Sequence, residues 1–187
     1  MKNRLTVIGI SAGTVDALKI ILSDINDDET TSIVIVTHIR DSVDGLMEIY
    51  RNITSLKIKE AEDNETICER GHIYFAPPEY HLSIEEDYSF SLVIEEKVNY
   101  VRPSIDVLFK SAAEVYRERL TGIILTGANN DGAMGMKRIE ELGGECIIQD
   151  PEEAFVDLMP QAAISEVHSP KILTLSKINE FIKRGEY

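Results

Sequence analysis

The sequence predicts a three-layer α/β domain, with a doubly wound, mostly parallel sheet and an antiparallel hairpin. Two short segments, residues 5–10 and 32–37, carry apolar and β-branched side chains at most positions, as strands covered on both faces do. A segment with apolar residues at helical spacing follows each of them. Strand, turn and helix in repeated succession are typical of this fold class.

The length and composition predict one packed domain over residues 1–187. Hydrophobic residues make up 43% of the chain and charged residues 28%, which is the balance of a globular protein. A core of this size buries roughly 70% of the surface of the unfolded chain, so no disulfide or metal is needed to stabilise it. Cys68 and Cys146 have neither the spacing of a metal site nor that of a disulfide framework.

Charge and hydropathy restrict the partners and the compartment. The chain has 33 Asp and Glu against 19 Lys and Arg, a net charge of −14, which repels a phosphate backbone and predicts no nucleic-acid partner. No run approaches the ~20 apolar residues of a membrane span, and the run at 5–10 is too short for a signal peptide. We therefore expect a cytoplasmic protein without membrane insertion.

The first two strands are each followed by a predicted helix. After strand 5–10, Thr14 has the side chain of an N-cap and Asp16 lies in the first turn of the helix. After strand 32–37, apolar residues at positions 43, 46, 47 and 50 have the i, i+3, i+4, i+7 spacing of a buried helix face. Both units fit a parallel sheet with helical crossovers.

The middle of the chain departs from this alternation. Residues 71–76 resemble a further strand. Residues 81–86 and 90–95 alternate in hydropathy around a polar turn, which predicts an antiparallel hairpin added to the parallel sheet. Ser104 then has the position of an N-cap for an amphipathic helix that extends to Val115.

The last third returns to the alternating pattern. Residues 121–126 have the composition of a buried strand, and a helix at 134–142 ends at Gly143-Gly144, a usual left-handed helix termination. Strands at 145–149 and 171–175, a short helix at 161–165 and a final helix capped by Ser176 complete the predicted order.

Three residues with complementary chemistry follow predicted strands. Ser11 follows the first strand, His38 the second, and Asp131 lies in the loop after strand 121–126. In open α/β sheets, ligands bind beyond the carboxyl ends of the strands. A serine that attacks, a histidine that carries its proton and an aspartate that orients the imidazole form a catalytic triad. We therefore predict these three as the catalytic residues.

The turn that contains Ser11 favours this prediction. Gly9-Ile-Ser11-Ala-Gly13 matches GxSxG, in which small residues let a sharp turn expose the hydroxyl, and the next helix start supplies N–H groups for an oxyanion. The order Ser, His, Asp differs from that of α/β-hydrolases. Structural interpretations stay open: Ser11 as part of a phosphate loop, His38 as a hydrogen-bonded strand-end histidine, and Asp131 as a turn or N-cap residue.

Several ordered motifs resemble the catalytic domain of the chemotaxis protein-glutamate methylesterases of the CheB family, from residue 7 to about residue 175. The segments that carry the resemblance are GHIYFAP at 71–77, His81-Leu82, RPSIDVLF at 102–109, LTG at 125–127, DGA at 131–133, Gly143-Gly144, Gln149-Asp150 and Met159-Pro160. Members use a serine after the first strand, a histidine after the second and an aspartate in a glycine-bearing loop. The resemblance implies those roles for Ser11, His38 and Asp131.

The resemblance also implies a substrate. It implies hydrolysis of glutamate γ-methyl esters on the cytoplasmic helices of methyl-accepting chemoreceptors, with release of methanol, and deamidation of receptor glutamines. It implies no metal and no organic cofactor. The family usually has an N-terminal receiver domain, and we expect none in this chain. In this arrangement one His38 ring nitrogen lies within hydrogen-bond reach of Ser11 Oγ and the other faces Asp131.

The sequence departs from the family pattern in three places. The family has Ser-Thr-Gly-Gly where this chain has Ser11-Ala-Gly-Thr14, Thr-Gly-Met-Gly where it has Thr126-Gly-Ala-Asn129, and Gln where it has Thr37. Two other hypotheses stay open, the first of them because of these departures. One is a catalytically weakened domain that docks on receptors or signalling partners, and the other is a small-molecule or nucleotide-binding module that uses the turn at 9–14.

Overall fold

The structure is a computed structural model that describes residues 4–26, 31–38 and 42–184. In chain order the described strands are β1 Leu5–Ile10, β2 Ile33–Thr37, β3 Lys57–Glu60, β4 His72–Phe75, β5 His81–Ile84, β6 Phe90–Val93, β7 Leu120–Ile124, β8 Glu145–Gln149 and β9 Lys171–Leu173. The described helices are α1 Thr14–Ile21, α2 Asp44–Tyr50, α3 Ile105–Tyr116, α4 Ala133–Glu141, α5 Leu158–Glu166 and α6 Leu175–Arg184.

Seven of the described strands form one parallel sheet in the order β3-β4-β2-β1-β7-β8-β9. On one side of β1 the chain adds β2, then β3 at the edge and β4 between these two, and it then returns to the other side of β1 to build β7, β8 and β9. The strand order therefore reverses between β1 and β7, which is where such sheets bind ligands. The predicted doubly wound α/β fold is confirmed.

Apolar side chains cover both faces of the sheet. On one face α1, α2 and α6 contribute residues such as Leu18, Leu46 and Ile178, and on the other α3 and α4 contribute Phe109 and Met136. Every residue of β1 and β2 is buried, as their apolar and β-branched composition predicts. Within the described ranges, no helix is both long enough and apolar enough to cross a membrane.

The hairpin differs from the prediction in its placement. β5 and β6 pair antiparallel with each other, but they form a separate two-stranded sheet and do not extend the parallel one. Ile84 and Phe90 are buried, and Ile84 N–H donates to Ser111 Oγ on α3 at 3.1 Å. The hairpin is thus held against α3 by its apolar face and by this bond.

Helix starts and one edge strand also differ from the prediction. Gly13, not Thr14, is the N-cap of α1, with φ 78°, and α6 begins at Leu175, one residue before the predicted cap Ser176. β3 was not predicted because its sequence, KIKE, has a single apolar residue. An edge strand with partly exposed side chains needs no continuous hydrophobicity.

Candidate functional site

Ser11, His38 and Asp131 follow three neighbouring strands. They come after β1, β2 and β7, which are adjacent in the order β2-β1-β7. Ser11 N–H donates to the Thr126 carbonyl at 3.0 Å, so the pairing of β1 with β7 continues up to the serine. The three predicted residues therefore lie at one end of the sheet, where the strand order reverses.

The His38 ring is held by Asp131. His38 Nε2 lies 2.9 Å from Asp131 Oδ2, and the two side chains are 7% and 0% exposed. A hydrogen bond in such a buried setting is electrostatically stronger than one in water. The expected contact between one ring nitrogen and Asp131 is therefore present.

The Asp131 carboxylate lies at the N-terminus of α3. Ile105 N–H donates to Oδ2 at 2.6 Å and Asp106 N–H donates to Oδ1 at 3.2 Å, so the carboxylate binds amides that have no partner within the helix. Ser104 is at the N-cap position, but its hydroxyl donates to Asp131 Oδ1 at 2.7 Å and makes no cap bond in its own helix. Asp131 thus caps α3 from a distant loop.

Hydrogen bonds keep Asp131 ionised despite its burial. Burial alone raises the pKa of this carboxyl, but bonds from His38, Asn99, Ser104 and Ile105 outweigh that effect and lower the pKa below its usual value. A fixed anion here stabilises positive charge on the adjacent imidazole. Asp131 therefore has both the contact and the charge that an orienting carboxylate needs.

Asn99 links Asp131 to a second buried carboxylate. Its Nδ2 donates to Asp131 Oδ1 and to Asp106 Oδ2, each at 3.0 Å, and its φ of 51° places it in a tight turn. Gly135 N–H donates to Asp106 Oδ1 at 2.6 Å. Burial, and to a smaller extent the charge of Asp131, raise the pKa of Asp106 although that bond opposes them. Asn99 thereby holds two carboxyl groups in place, that of Asp131 with a lowered pKa and that of Asp106 with a raised one.

Asn129 occupies the other nitrogen of the His38 ring. Asn129 Nδ2 lies 3.0 Å from His38 Nδ1, and Asn129 Oδ1 accepts a hydrogen bond from Asp131 N–H at 3.0 Å. Over the ranges that the structure describes, Ser11 Oγ forms no hydrogen bond with His38. The expected approach of Ser11 to His38 is therefore not present as a hydrogen bond, and Asn129 contacts the ring nitrogen that would make it.

The turn after β1 presents Ser11 at the start of α1. Gly13 has φ 78°, a conformation that glycine adopts without strain. The Thr14 hydroxyl donates to the Ser11 carbonyl, so the residue that departs from the family pattern closes this turn. The first amides of α1 follow Ser11 directly and have no partners within the helix. Amides of this kind can stabilise negative charge on a bound carbonyl oxygen.

Gly127 lets two loops approach the serine closely. A Cβ at this position would collide with Met159 Sδ and would lie 3.0 Å from Ser11 Cβ. Its backbone is fixed on both sides, because Gly127 N–H donates to the Val156 carbonyl and Met159 N–H donates to the Gly127 carbonyl, each at 3.0 Å. The loop after β7 and the start of α5 therefore pack directly against Ser11.

Ser11 and His38 line a cavity of about 450 Å³. Its other lining residues are Glu79, Lys97, Tyr100, Val101, Arg102 and Asn129. Arg102 is held by Glu79 at 3.1 Å, while Lys97 is exposed. Among the residues described, no group of three or more His, Cys, Asp or Glu side chains is arranged to hold a metal ion.

Comparison with known proteins decides the family. A sequence model of the CheB methylesterase family matches residues 6–182. This chain belongs to the CheB methylesterase family. Its fold superposes on the crystal structure of the Thermotoga maritima CheB methylesterase catalytic domain with a TM-score of 0.92. The two sequences are 31% identical, and the match covers 98% of this chain and 99% of that one.

Curated relatives in the CheB family have names that combine two activities. A "Putative protein-glutamate methylesterase/protein-glutamine glutaminase" of Leptospira interrogans is 49% identical, over 95% of this chain and 92% of its own length. Protein-glutamate methylesterase/protein-glutamine glutaminase 1 of Carboxydothermus hydrogenoformans is 39% identical, over 96% of this chain and 54% of its own length. The chain thus spans nearly all of the first relative and about half of the second.

The structure places at the candidate site further residues that the sequence does not single out as functional. Asn99 and Asn129 both contact the His38-Asp131 pair, but asparagines in turns are common. The position of Asn129 in a departure from the family pattern is the one signal that points to it. Thr37, another departure, has a buried hydroxyl with no hydrogen-bond partner among the described residues.

Proposed function

We propose that this chain is a serine hydrolase that removes the methyl group from glutamate γ-methyl esters on the cytoplasmic helices of chemoreceptors. Ser11, His38 and Asp131 are its catalytic triad. The observation that carries the proposal is the buried His38-Asp131 hydrogen bond, which lies beside a cavity that Ser11 also lines. Membership of the CheB family supports the substrate class, because the names of the relatives specify protein glutamate esters and glutamine amides.

Acylation begins with attack of Ser11 Oγ on the ester carbonyl carbon. The hydroxyl proton passes to His38 Nδ1, the nitrogen that does not face Asp131, and the ionised Asp131 stabilises the resulting imidazolium. The carbonyl oxygen becomes an oxyanion, which the amides at the start of α1 stabilise. The bond to the methoxy oxygen then breaks, that oxygen takes the proton from His38, and methanol leaves.

Deacylation repeats these steps with water. Water attacks the acyl-serine and gives a proton to His38 Nδ1, and Ser11 Oγ recovers that proton as the free glutamate side chain is released. A glutamine γ-amide enters the same sequence, except that the leaving nitrogen takes the proton and ammonia departs. One acyl-enzyme therefore accounts for both activities, and we include deamidation in the proposal.

Covalent labelling and methanol release test the proposal together. A fluorophosphonate forms a phosphorus-oxygen bond with an activated serine as fluoride leaves, and peptide mass spectrometry then locates the label. We expect labelling at Ser11 and methanol release from membranes that contain methylated receptor. Ser11→Ala should keep only residual activity from binding and oxyanion contacts, whereas Ser165→Ala, at an exposed serine of α5, should behave as wild type.

The same experiments separate the competing hypotheses. A folded wild-type chain that releases no methanol and takes no label contradicts the hydrolase proposal, and binding to receptor membranes without turnover then favours a docking domain. Retention of a nucleotide favours the binding module. His38→Gln tests the base: labelling at the wild-type rate, with the same decline at acid pH, shows that His38 is not the proton acceptor, because only neutral imidazole accepts the serine proton.

A further inference from the structure

The Asn129 side chain has only one hydrogen-bonding orientation. Asp131 N–H is a donor, so the Asn129 atom that lies 3.0 Å from it must be the amide oxygen. The amide nitrogen consequently faces His38 Nδ1 at 3.0 Å. Because an amide NH2 group only donates, His38 Nδ1 carries no proton in this arrangement.

The tautomer of His38 follows from its two neighbours. With Nδ1 unprotonated, the neutral ring carries its hydrogen on Nε2, which donates to Asp131 Oδ2 at 2.9 Å. The opposite tautomer would place a donor against the Asn129 NH2 group and leave the Asp131 contact without a hydrogen. The resting ring therefore directs its one basic lone pair at Asn129.

Ser11 needs that same lone pair. A neutral imidazole has a single lone pair in the ring plane, so the Asn129 donor and the Ser11 hydroxyl compete for it. Within the described residues, Ser11 Oγ has no hydrogen bond at all. Asn129 is only partly buried and lines the same cavity as Ser11 and His38, so its amide lies where a ligand in that cavity would contact it.

We propose that Asn129 is a latch on the histidine base: it holds His38 Nδ1 in the resting protein and must release it before Ser11 can lose its proton. A substrate side chain that enters the cavity displaces the amide, so the base becomes free when the site is occupied. Asn129 acts through His38 and is a positioning residue. The inference rests on the proposed hydrolase function and adds a regulatory step to it.

Three substitutions at position 129 separate the latch from a structural role. Asn129→Ser removes the amide donor and keeps a short side-chain acceptor for Asp131 N–H, and Asn129→Ala removes both. Each should speed fluorophosphonate labelling of Ser11 by about 3- to 10-fold, the effect of one neutral hydrogen bond. Asn129→Asp places a carboxylate oxygen against Nδ1, which then keeps a proton, so labelling should slow by about 10-fold or more.

Nitrogen NMR of His38 at about pH 8 gives a readout that does not depend on activity. Wild type should show an unprotonated, hydrogen-bonded Nδ1, Asn129→Ser an unprotonated Nδ1 without that bond, and Asn129→Asp a protonated Nδ1. Asn130→Ala is the matched control. It removes an exposed amide from the same loop and should leave both the labelling rate and the Nδ1 signal as in wild type.

The possible outcomes distinguish the two proposals. If wild type is labelled at Ser11 but Asn129→Ser and Asn129→Ala react at the same rate or more slowly, the latch is wrong and the hydrolase proposal stands. A protonated Nδ1 in wild type at that pH also overturns the latch. If no variant is labelled, wild type included, the hydrolase proposal fails and the latch fails with it, because no proton transfer remains to be controlled.

Discussion

Asp131→Asn is the sharpest test of the orienting carboxylate, because it replaces one acceptor oxygen by a donor. The described residues give the Asp131 carboxylate five hydrogen bonds, and all five are donated to it. An asparagine must point its NH2 group at some of these donors. In the Oδ1 position it would face three of them, whereas in the Oδ2 position it would face Ile105 N–H and His38 Nε2.

The Oδ2 position is the less unfavourable one, and it allows the magnitude to be worked out. His38 can change tautomer and accept from the new amide, provided that the Asn129 amide, which lines the cavity, moves away from the Nδ1–H. This leaves Ile105 N–H unsatisfied at a cost of about 1–3 kcal/mol. Loss of the anion at the start of α3 adds about 0.3–1 kcal/mol. We expect the free energy of unfolding to fall by about 1–4 kcal/mol.

Reactivity should fall much further than stability. The changed tautomer puts a proton on His38 Nδ1, the nitrogen that must accept from Ser11, and the equivalent substitution in a serine protease lowers kcat about 10⁴-fold. Urea unfolding measures the first effect, and fluorophosphonate labelling under conditions where both proteins are folded measures the second. Asp106→Asn is the control: it alters a buried carboxylate that does not touch His38, so it should lose stability while Ser11 remains reactive.

One result would refute this reasoning. If Asp131→Asn unfolds at the wild-type urea concentration and is labelled within about tenfold of the wild-type rate, the carboxylate neither caps α3 nor selects the tautomer. A variant that loses stability but keeps its reactivity would restrict Asp131 to the structural role of a helix cap.

Further predictions concern packing, pH and thiol reactivity. Gly127→Ala should slow fluorophosphonate labelling of Ser11 by about tenfold or more, because the new Cβ would displace a neighbour of the serine. Gly45→Ala, in α2 with nothing within 4 Å of the new Cβ, should instead raise the free energy of unfolding by about 0.5–1 kcal/mol. The folded-state pKa of Asp131 is lowered, so the ionised carboxylate stabilises the fold fully above about pH 4, and this contribution is lost as the pH falls through the folded-state pKa. The difference in unfolding free energy between wild type and Asp131→Asn should therefore shrink in acid titrations below that pH. Burial raises the pKa of the Cys146 thiol to about 12, so a thiol reagent at neutral pH should modify only the chain's other, exposed cysteine until urea unfolds the protein.

The strands of the central sheet and the positions of His38 and Asp131 could be predicted, because each is indicated by a short stretch of sequence. β1 and β2 carry apolar or β-branched side chains at most positions, and a parallel α/β sheet brings the residues that follow such strands to one edge. That rule places His38 near Asp131 without any knowledge of the intervening chain.

The details around Asp131 could not be predicted, because they depend on contacts between distant segments. Asn99 and Asn129 occupy turns, where asparagine is common, so the residue type gives no signal. Their hydrogen bonds form only once the start of α3 and the loop after β7 are in contact. Ser104 was predicted as a helix cap from its position, yet its hydroxyl binds a carboxylate 27 residues away. The hairpin was placed in the main sheet because alternation in hydropathy identifies strands but not their partners.

The residues of the site lie far apart along the chain, and this separation affects the order in which the site forms during synthesis. His38 and Asp131 are 93 residues apart, and Leu5 at the start of β1 pairs with Leu120 of β7. Ser11 and His38 are therefore synthesised long before β7, the strand that precedes Asp131. Contacts of such separation form slowly because a long loop must close. Under the proposed function, Ser11 in the nascent chain is unreactive until Asp131 is in place, and reactivity at Ser11 marks the molecules in which β7 has inserted beside β1. A serine-directed probe added during refolding would thus time the closure of the central sheet.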